Sequence, residues 1–172
     1  GIDGRRRNSV PMNTFHQYLE ITTSAPVEMS IPGKQMNLII RETNTNKIVG
    51  MIRFGSPVIN SRPRNELLGK PLDTQNPDVM KRFNDSCIMG FAIVPTQPFG
   101  FNYLGGKLLA AICCSHASRR MLDAKYDTEF CLFETTSLYG NIKGCSMYDG
   151  MKPFLRYKGD TQSKFLLTLG ED

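Results

Sequence analysis

Apolar residues fall in short, separated runs along the chain, and each run has the length of a single element. Residues 35–42 carry Leu38, Ile39 and Ile40, the turn-forming residues TNTN follow, and residues 47–54 carry IVGMIRF. Two apolar runs joined across an Asn/Thr turn predict a β-hairpin. Residues 86–94, SCIMGFAIV, form a continuous apolar run closed by Pro95, as expected of a strand buried on both faces. In the next segment Leu104, Leu108, Ala111, Ile112 and Ser115 recur at helical spacing, which predicts one helix over 103–122 with Asn102 as its N-cap. The run TEFCLFETT then predicts a further strand. Strand, helix and strand in that order imply a right-handed parallel crossover, centred on residues 87–136.

The remaining chain is less regular. Residues 1–12 read as a flexible basic arm, and 13–172 as one domain. A short helix is expected over 14–20. Residues 55–85 hold four prolines and the polar stretch SRPRNELLGK, and are expected to form a long, ordered and packed loop. After a polar turn, short strands are expected at PFLRYK and SKFLLTL.

Composition narrows the function classes. Hydrophobic residues make up 40% of the 172 and charged residues 22%, which fits an ordinary folded domain. No apolar run is long enough to span a bilayer, and the arginines near the start precede no apolar stretch of a secretory signal. A soluble, cytoplasmic protein is therefore expected. The five cysteines include no C-x-x-C pair, and His16 and His116 are the two histidines, so no zinc-ligand set is offered. Buried free thiols are expected instead. The net charge is +5 and the pI about 9.0. That balance suits a nucleic-acid partner or solubility alone. Arg62, Arg64, Lys70 and Lys158 are the candidates for phosphate contact, with a solvated basic face as the alternative.

The loop between the apolar strand and the following helix bears Gly100, and the first turn of that helix bears Gly105, Gly106 and Lys107. Free N–H groups at a helix N-terminus make an anion site there, or the glycines simply let the helix pack close to the sheet. The loop fits neither GxxxxGK[ST] nor GxGxxG, so P-loop and dinucleotide-binding readings fail. The element order resembles the GNAT acyltransferase arrangement, a mixed β-sheet with a strand–glycine loop–helix–strand centre. That resemblance implies Asn102, Gly105, Gly106 and Lys107 as the grip for an acyl-coenzyme A-like donor.

A closer likeness emerges from five motifs in order: VGMIRFGSPVINSRPRNELLGKPL, FNDSCIMGFAIVPTQPFGFNYLGGKLLA, LFETTSLYG, SMYDGMKPF and YKGDT. Together they resemble the Druantia DruA-like family and, more distantly, the GNAT-related phage Mu Mom proteins, over residues 47–162. The resemblance implies phage–host conflict, with nucleic acid as partner, defence in DruA-like members, and nucleobase modification in Mom-like ones. It implies membership of a larger phage or defence assembly and no membrane partner. Carried over by position, Glu134, Thr135, Thr136 and Ser137 occupy the strand end that serves the reaction. Tyr148 falls at the turn tyrosine, and Gly159 and Thr161 at the closing motif. Gly90 stands where the family shows arginine, Ser137 stands where Mom-like members show aspartate, and the chain has no Trp.

Glu134, Ser137 and Tyr148 are thus the catalytic candidates. Glu134 ends an apolar strand, where a carboxylate needs a partner or a role. It would act as general base with a pKa raised by burial, or as a structural hydrogen-bond acceptor. Tyr148 and the neighbouring Tyr139, Ser146 and Ser137 serve as proton donors or stacking groups, or as turn caps. Asn84 and Asp85 suit a polar ligand or an ordinary turn, and His116 lacks an acid–base partner. Two functions follow: a transferase-like domain acting on nucleic acid, or a non-catalytic module that holds nucleic acid or a protein. An acyl-coenzyme A-dependent N-acyltransferase is the weaker alternative.

Overall fold

The computed structural model describes residues 33–96, 104–136, 148 and 150–159. The expected basic arm, the helix over 14–20 and the strand SKFLLTL lie outside them, as do Gly100, Asn102, Ser137, Tyr139, Cys145, Ser146 and Thr161.

The described chain is a mixed α/β unit with one four-stranded sheet in the order β1-β2-β3-β4. Strands β1 (Gln35–Arg41) and β2 (Ile48–Gly55) form the expected antiparallel hairpin, with Leu38 opposite Ile52 and Met36 opposite Phe54. Its turn is closed by Glu42, whose carboxylate accepts from the Asn44 and Thr45 N–H groups at 2.8 and 2.6 Å. Asn46 takes the left-handed conformation there, at φ 56°. Asparagine tolerates that region better than most residues.

Residues 55–85 are ordered, as expected, but they hold two helices rather than a loop. Helix α1 spans Arg62–Leu68 and α2 spans Pro77–Ser86. Both start on a polar cap followed directly by the first turn: Ser61 accepts from Arg64 N–H, and Asn76 from the N–H groups of Asp78 and Val79. Pro63 and Pro77 sit in those first turns, where a missing N–H costs nothing. Gly69 closes α1 at φ 79°.

Strand β3 (Cys87–Pro95) follows α2 without a loop and pairs antiparallel with β2, with a register shift between Arg53 and Phe54. The expected single helix over 103–122 is two helices, α3 (Leu104–Cys113) and α4 (His116–Tyr126). Ser115 breaks it. Its backbone is extended (φ −73°, ψ 152°), its hydroxyl caps Ser118 N–H, and both serine hydroxyls donate to Ile112 O at 2.7 and 2.6 Å. Strand β4 (Leu132–Thr135) then pairs parallel with β3, which confirms the parallel crossover. The strand expected at PFLRYK is replaced by a turn. Residues 152–155 fold back on themselves, with Phe154 and Leu155 N–H donating to Met151 O. An element order of three antiparallel strands and a helical crossover to a parallel fourth is compatible with the GNAT arrangement.

The core lies between the sheet and α3–α4, built from Ile52, Phe54, Ile88, Ile93, Leu109, Ala110, Cys113, Leu122, Phe130 and Met151. Gly50 permits the close approach of α3, because a Cβ there would lie 2.5 Å from Leu109 Cδ1. No described helix is long and apolar enough to cross a membrane.

The cysteines divide. Cys87 and Cys113 are buried and Cys114 half-buried, whereas Cys131 is exposed, against the expectation of burial. Burial pushes the Cys87 and Cys114 thiols up to about 11 and raises Cys113 as well. The thiolate is the reactive form. At mildly alkaline pH, peptide mapping after limited alkylation should therefore find Cys131 modified before these three. Equal labelling of Cys113 would contradict the packing described.

Candidate functional site

Two candidates far apart in sequence meet on one face of the sheet. Arg64 reaches from α1 to Glu134 on β4, Nη1 to Oε1 at 2.6 Å, and its side chain is 2% exposed against 20% for Glu134. The same guanidinium donates through Nη2 to the carbonyls of Val58 and Ile59 and lies 4.6 Å from the centroid of the Phe83 ring. This burial corrects the expectation that Arg64 contacts phosphate. It is instead an internal strut that holds the turn before α1, the end of β4 and the face of α2 together. A planar fork with several donors suits that geometry.

Glu134 bonds Arg64 through one carboxylate oxygen. Oε2 takes no hydrogen bond among the described residues. Burial pushes its carboxyl pKa up, and the charge and hydrogen bond of Arg64 pull it down less strongly. The direction agrees with the sequence expectation of a carboxyl raised by burial.

Tyr148 lies on the other side of β4. Successive residues of a strand face opposite ways, so Glu134 faces α1 whereas Thr135 faces the α3 side. The Thr135 hydroxyl donates to Gly90 O at 2.9 Å. Tyr148 packs against the main core and hydrogen-bonds Thr135. Burial drives its phenol up to about 12, with the Thr135 bond lowering it and Cys113 raising it further. The sheet thus separates Glu134 from Tyr148.

The candidate donor grip is described in part. Gly105 and Gly106 open α3, and Gly106 is buried. Lys107 Nζ would lie 3.8 Å from a Cβ on Gly150, which places its ammonium beside the turn that follows Tyr148. Asn84 and Asp85 belong to the last turn of α2. Lys34 Nζ donates to Asn84 O at 2.7 Å, and Asp85 pairs with Lys81 at 2.8 Å, so both serve the framework. His116 is the exposed first residue of α4. Among the described residues no three His, Cys, Asp or Glu side chains converge as metal ligands.

The other basic candidates gather around α1. Arg62 and Lys70 line one open depression together with Asn60, Asn65 and Glu66, and Glu66 pairs with Arg62 at 2.8 Å. Lys158 is exposed, and its neighbour Gly159 abuts α1, where a Cβ would lie 3.3 Å from Pro63 Cγ. Cations from distant parts of the chain therefore gather beside one helix.

The family model for Druantia protein DruA matches residues 8–145, which takes in α1, the sheet and the Arg64–Glu134 pair. The chain belongs to that family. Membership makes it an anti-phage defence-associated protein. No curated protein and no solved structure matches the chain. The match does not extend to the Mom proteins.

In this DruA-family chain, sequence reasoning assigns Glu134 and Arg64 to separate tasks and misses that they are partners. Nothing local signals the pairing. It also misses the exposed turn at Phe154 and Tyr157, because the same residues alternate in a manner that suits a strand.

Proposed function

We propose that this DruA-family domain is a nucleic-acid-holding module of an anti-phage assembly, with its binding surface on the basic side of α1. The observation that carries the reading is a contrast in placement. Arg62, Lys70 and Lys158 come to the same helix, whereas the candidate catalytic groups Glu134 and Tyr148 face opposite sides of β4. Arg64 supports that surface from beneath by fixing α1 to the sheet. Lysine and arginine side chains displayed on one face bind phosphates by releasing counterions.

Titration of labelled DNA against the protein at several salt concentrations tests it. The expected result is binding at low salt that weakens steeply as salt rises, by about 0.9 in log K per log salt for each phosphate neutralised. Absence of binding at low salt would sink the proposal.

One observation favours a second reading, transfer chemistry on a nucleobase. Glu134 presents an oxygen with no hydrogen bond among the described residues, and burial raises its carboxyl in the direction that suits a general base. An acyl-coenzyme A-like donor would then sit near Gly105, Gly106 and Lys107. Mass spectrometry of nucleosides from DNA co-expressed with the protein decides between the two. The binding reading expects an unmodified profile, and a new nucleoside that disappears in Glu134→Gln would replace it with catalysis.

A further inference from the structure

The segment after Met151 sets exposed aromatic rings among exposed cations. Residues 152–158, KPFLRYK, contain three cations and no acid. Met151 is buried in the core and Leu155 packs against that core, so the turn is pinned from below. Between and beyond these anchors Phe154 is 70% exposed and Tyr157 69%. Phe54, Phe83 and Phe130, by contrast, are nearly fully buried. At the far end Gly159, at φ 137°, abuts Pro63 of α1 and brings the turn beside Arg62. Lys152, Arg156 and Lys158 are all exposed.

Resting on the nucleic-acid reading above, we infer that this turn is a stacking platform for single-stranded nucleic acid. Phe154 and Tyr157 take the faces of unpaired bases, while Lys152, Arg156 and Lys158 follow the phosphates. Phe154, held mostly in water by an anchored turn, forgoes the burial that Phe54, Phe83 and Phe130 have, and a covering partner would supply it; Tyr157 is exposed to nearly the same degree. The charge around them selects the occupant. An apolar protein surface would have to desolvate three cations to reach the rings, whereas a polynucleotide strand meets ring and cation together. In a duplex the base faces are stacked on each other and inaccessible, which sets the preference for single strands.

Fluorescence anisotropy of the full chain with labelled oligothymidylate and with a duplex of equal length tests the inference, using wild type and Phe154→Ala/Tyr157→Ala. Stacking on an aromatic ring contributes about 1–3 kcal/mol per base, so the double variant should bind single strands roughly tenfold or more weakly. Its duplex affinity and its salt slope should stay near those of wild type. Both rings are exposed, and an unchanged thermal melt confirms that the variant folds. A variant carrying leucine at both positions keeps apolar area but no π-face, and should be weakened to the same degree. Equal weakening on both substrates, or none on either, overturns the stacking platform and leaves the nucleic-acid reading standing. Failure of wild type to bind either substrate at low salt overturns both. A leucine variant that binds single strands as well as wild type reveals simple apolar packing rather than stacking and also overturns the inference.

Discussion

Arg64→Ala is expected to destabilise the domain by about 3–5 kcal/mol, the usual consequence of removing one member of a buried ion pair. Arg64 is 3% exposed. Its removal strands the Glu134 carboxylate, deprives the Val58 and Ile59 carbonyls of their donor, and empties the space over Phe83. Total stabilities of small domains run to about 5–15 kcal/mol, so the variant would be marginal at best. Arg64→Lys should recover only part, because an ammonium has neither the fork nor the plane. Replacing the pair together, as Arg64→Met/Glu134→Leu, should recover more, since no charge is left unpaired. Urea denaturation followed by circular dichroism measures all three, and an Arg64→Ala variant within about 1 kcal/mol of wild type would contradict the strut.

The pH dependence of that variant has a definite sign. Glu134 titrates above the ordinary carboxylate value because burial outweighs the pull of Arg64. A carboxyl raised in the folded state binds more protons there than in the unfolded chain, so its contribution to stability falls as pH rises through the interval between the two values. Without Arg64 the interval widens. The stability deficit of Arg64→Ala should therefore be larger at neutral pH than at acid pH.

Gly90→Arg is expected to be at least as damaging, at more than about 4 kcal/mol, because it drives a guanidinium into an apolar contact. Gly90 is buried in β3, and a Cβ there would lie 3.0 Å from both Ile93 Cδ1 and Phe133 Cζ. In this chain Phe133 fills the space, set edge-on against Phe54 with centroids 6.1 Å apart. Gly90→Ala should cost less, about 1–3 kcal/mol, through overpacking alone. Thermal melts of purified variants check the order. A stable Gly90→Arg protein would mean that the strand can turn this residue away from Phe133.

The parts of the fold legible in sequence are those whose signal is local. The hairpin, β3 and the β3–β4 crossover follow from apolar runs bounded by Asn, Thr and Pro. Helices α1 and α2 are hidden by Pro63 and Pro77, which read as loop punctuation although each follows a capping residue, Ser61 shortly before one and Asn76 directly before the other. The break between α3 and α4 is signalled by Ser115, whose hydroxyl competes for the backbone, but helical periodicity runs through it. The site is legible in its residues and not in its geometry. A carboxylate at Glu134 announces a need for a partner. That the partner is Arg64 depends on α1 folding back over β4, which no periodicity encodes. Phe154 and Tyr157 mislead for a related reason, since alternation predicts a strand only where another strand can pair with it.

The most direct measurement is DNA affinity at low salt for wild type and for Arg62→Ala/Lys70→Ala/Lys158→Ala, with matching thermal melts. All three side chains are exposed, so their removal should leave the fold intact. A nucleic-acid surface on α1 predicts weaker binding and a salt slope reduced by roughly one for each phosphate that no longer meets a cation. An unchanged affinity and slope in the folded variant would contradict it.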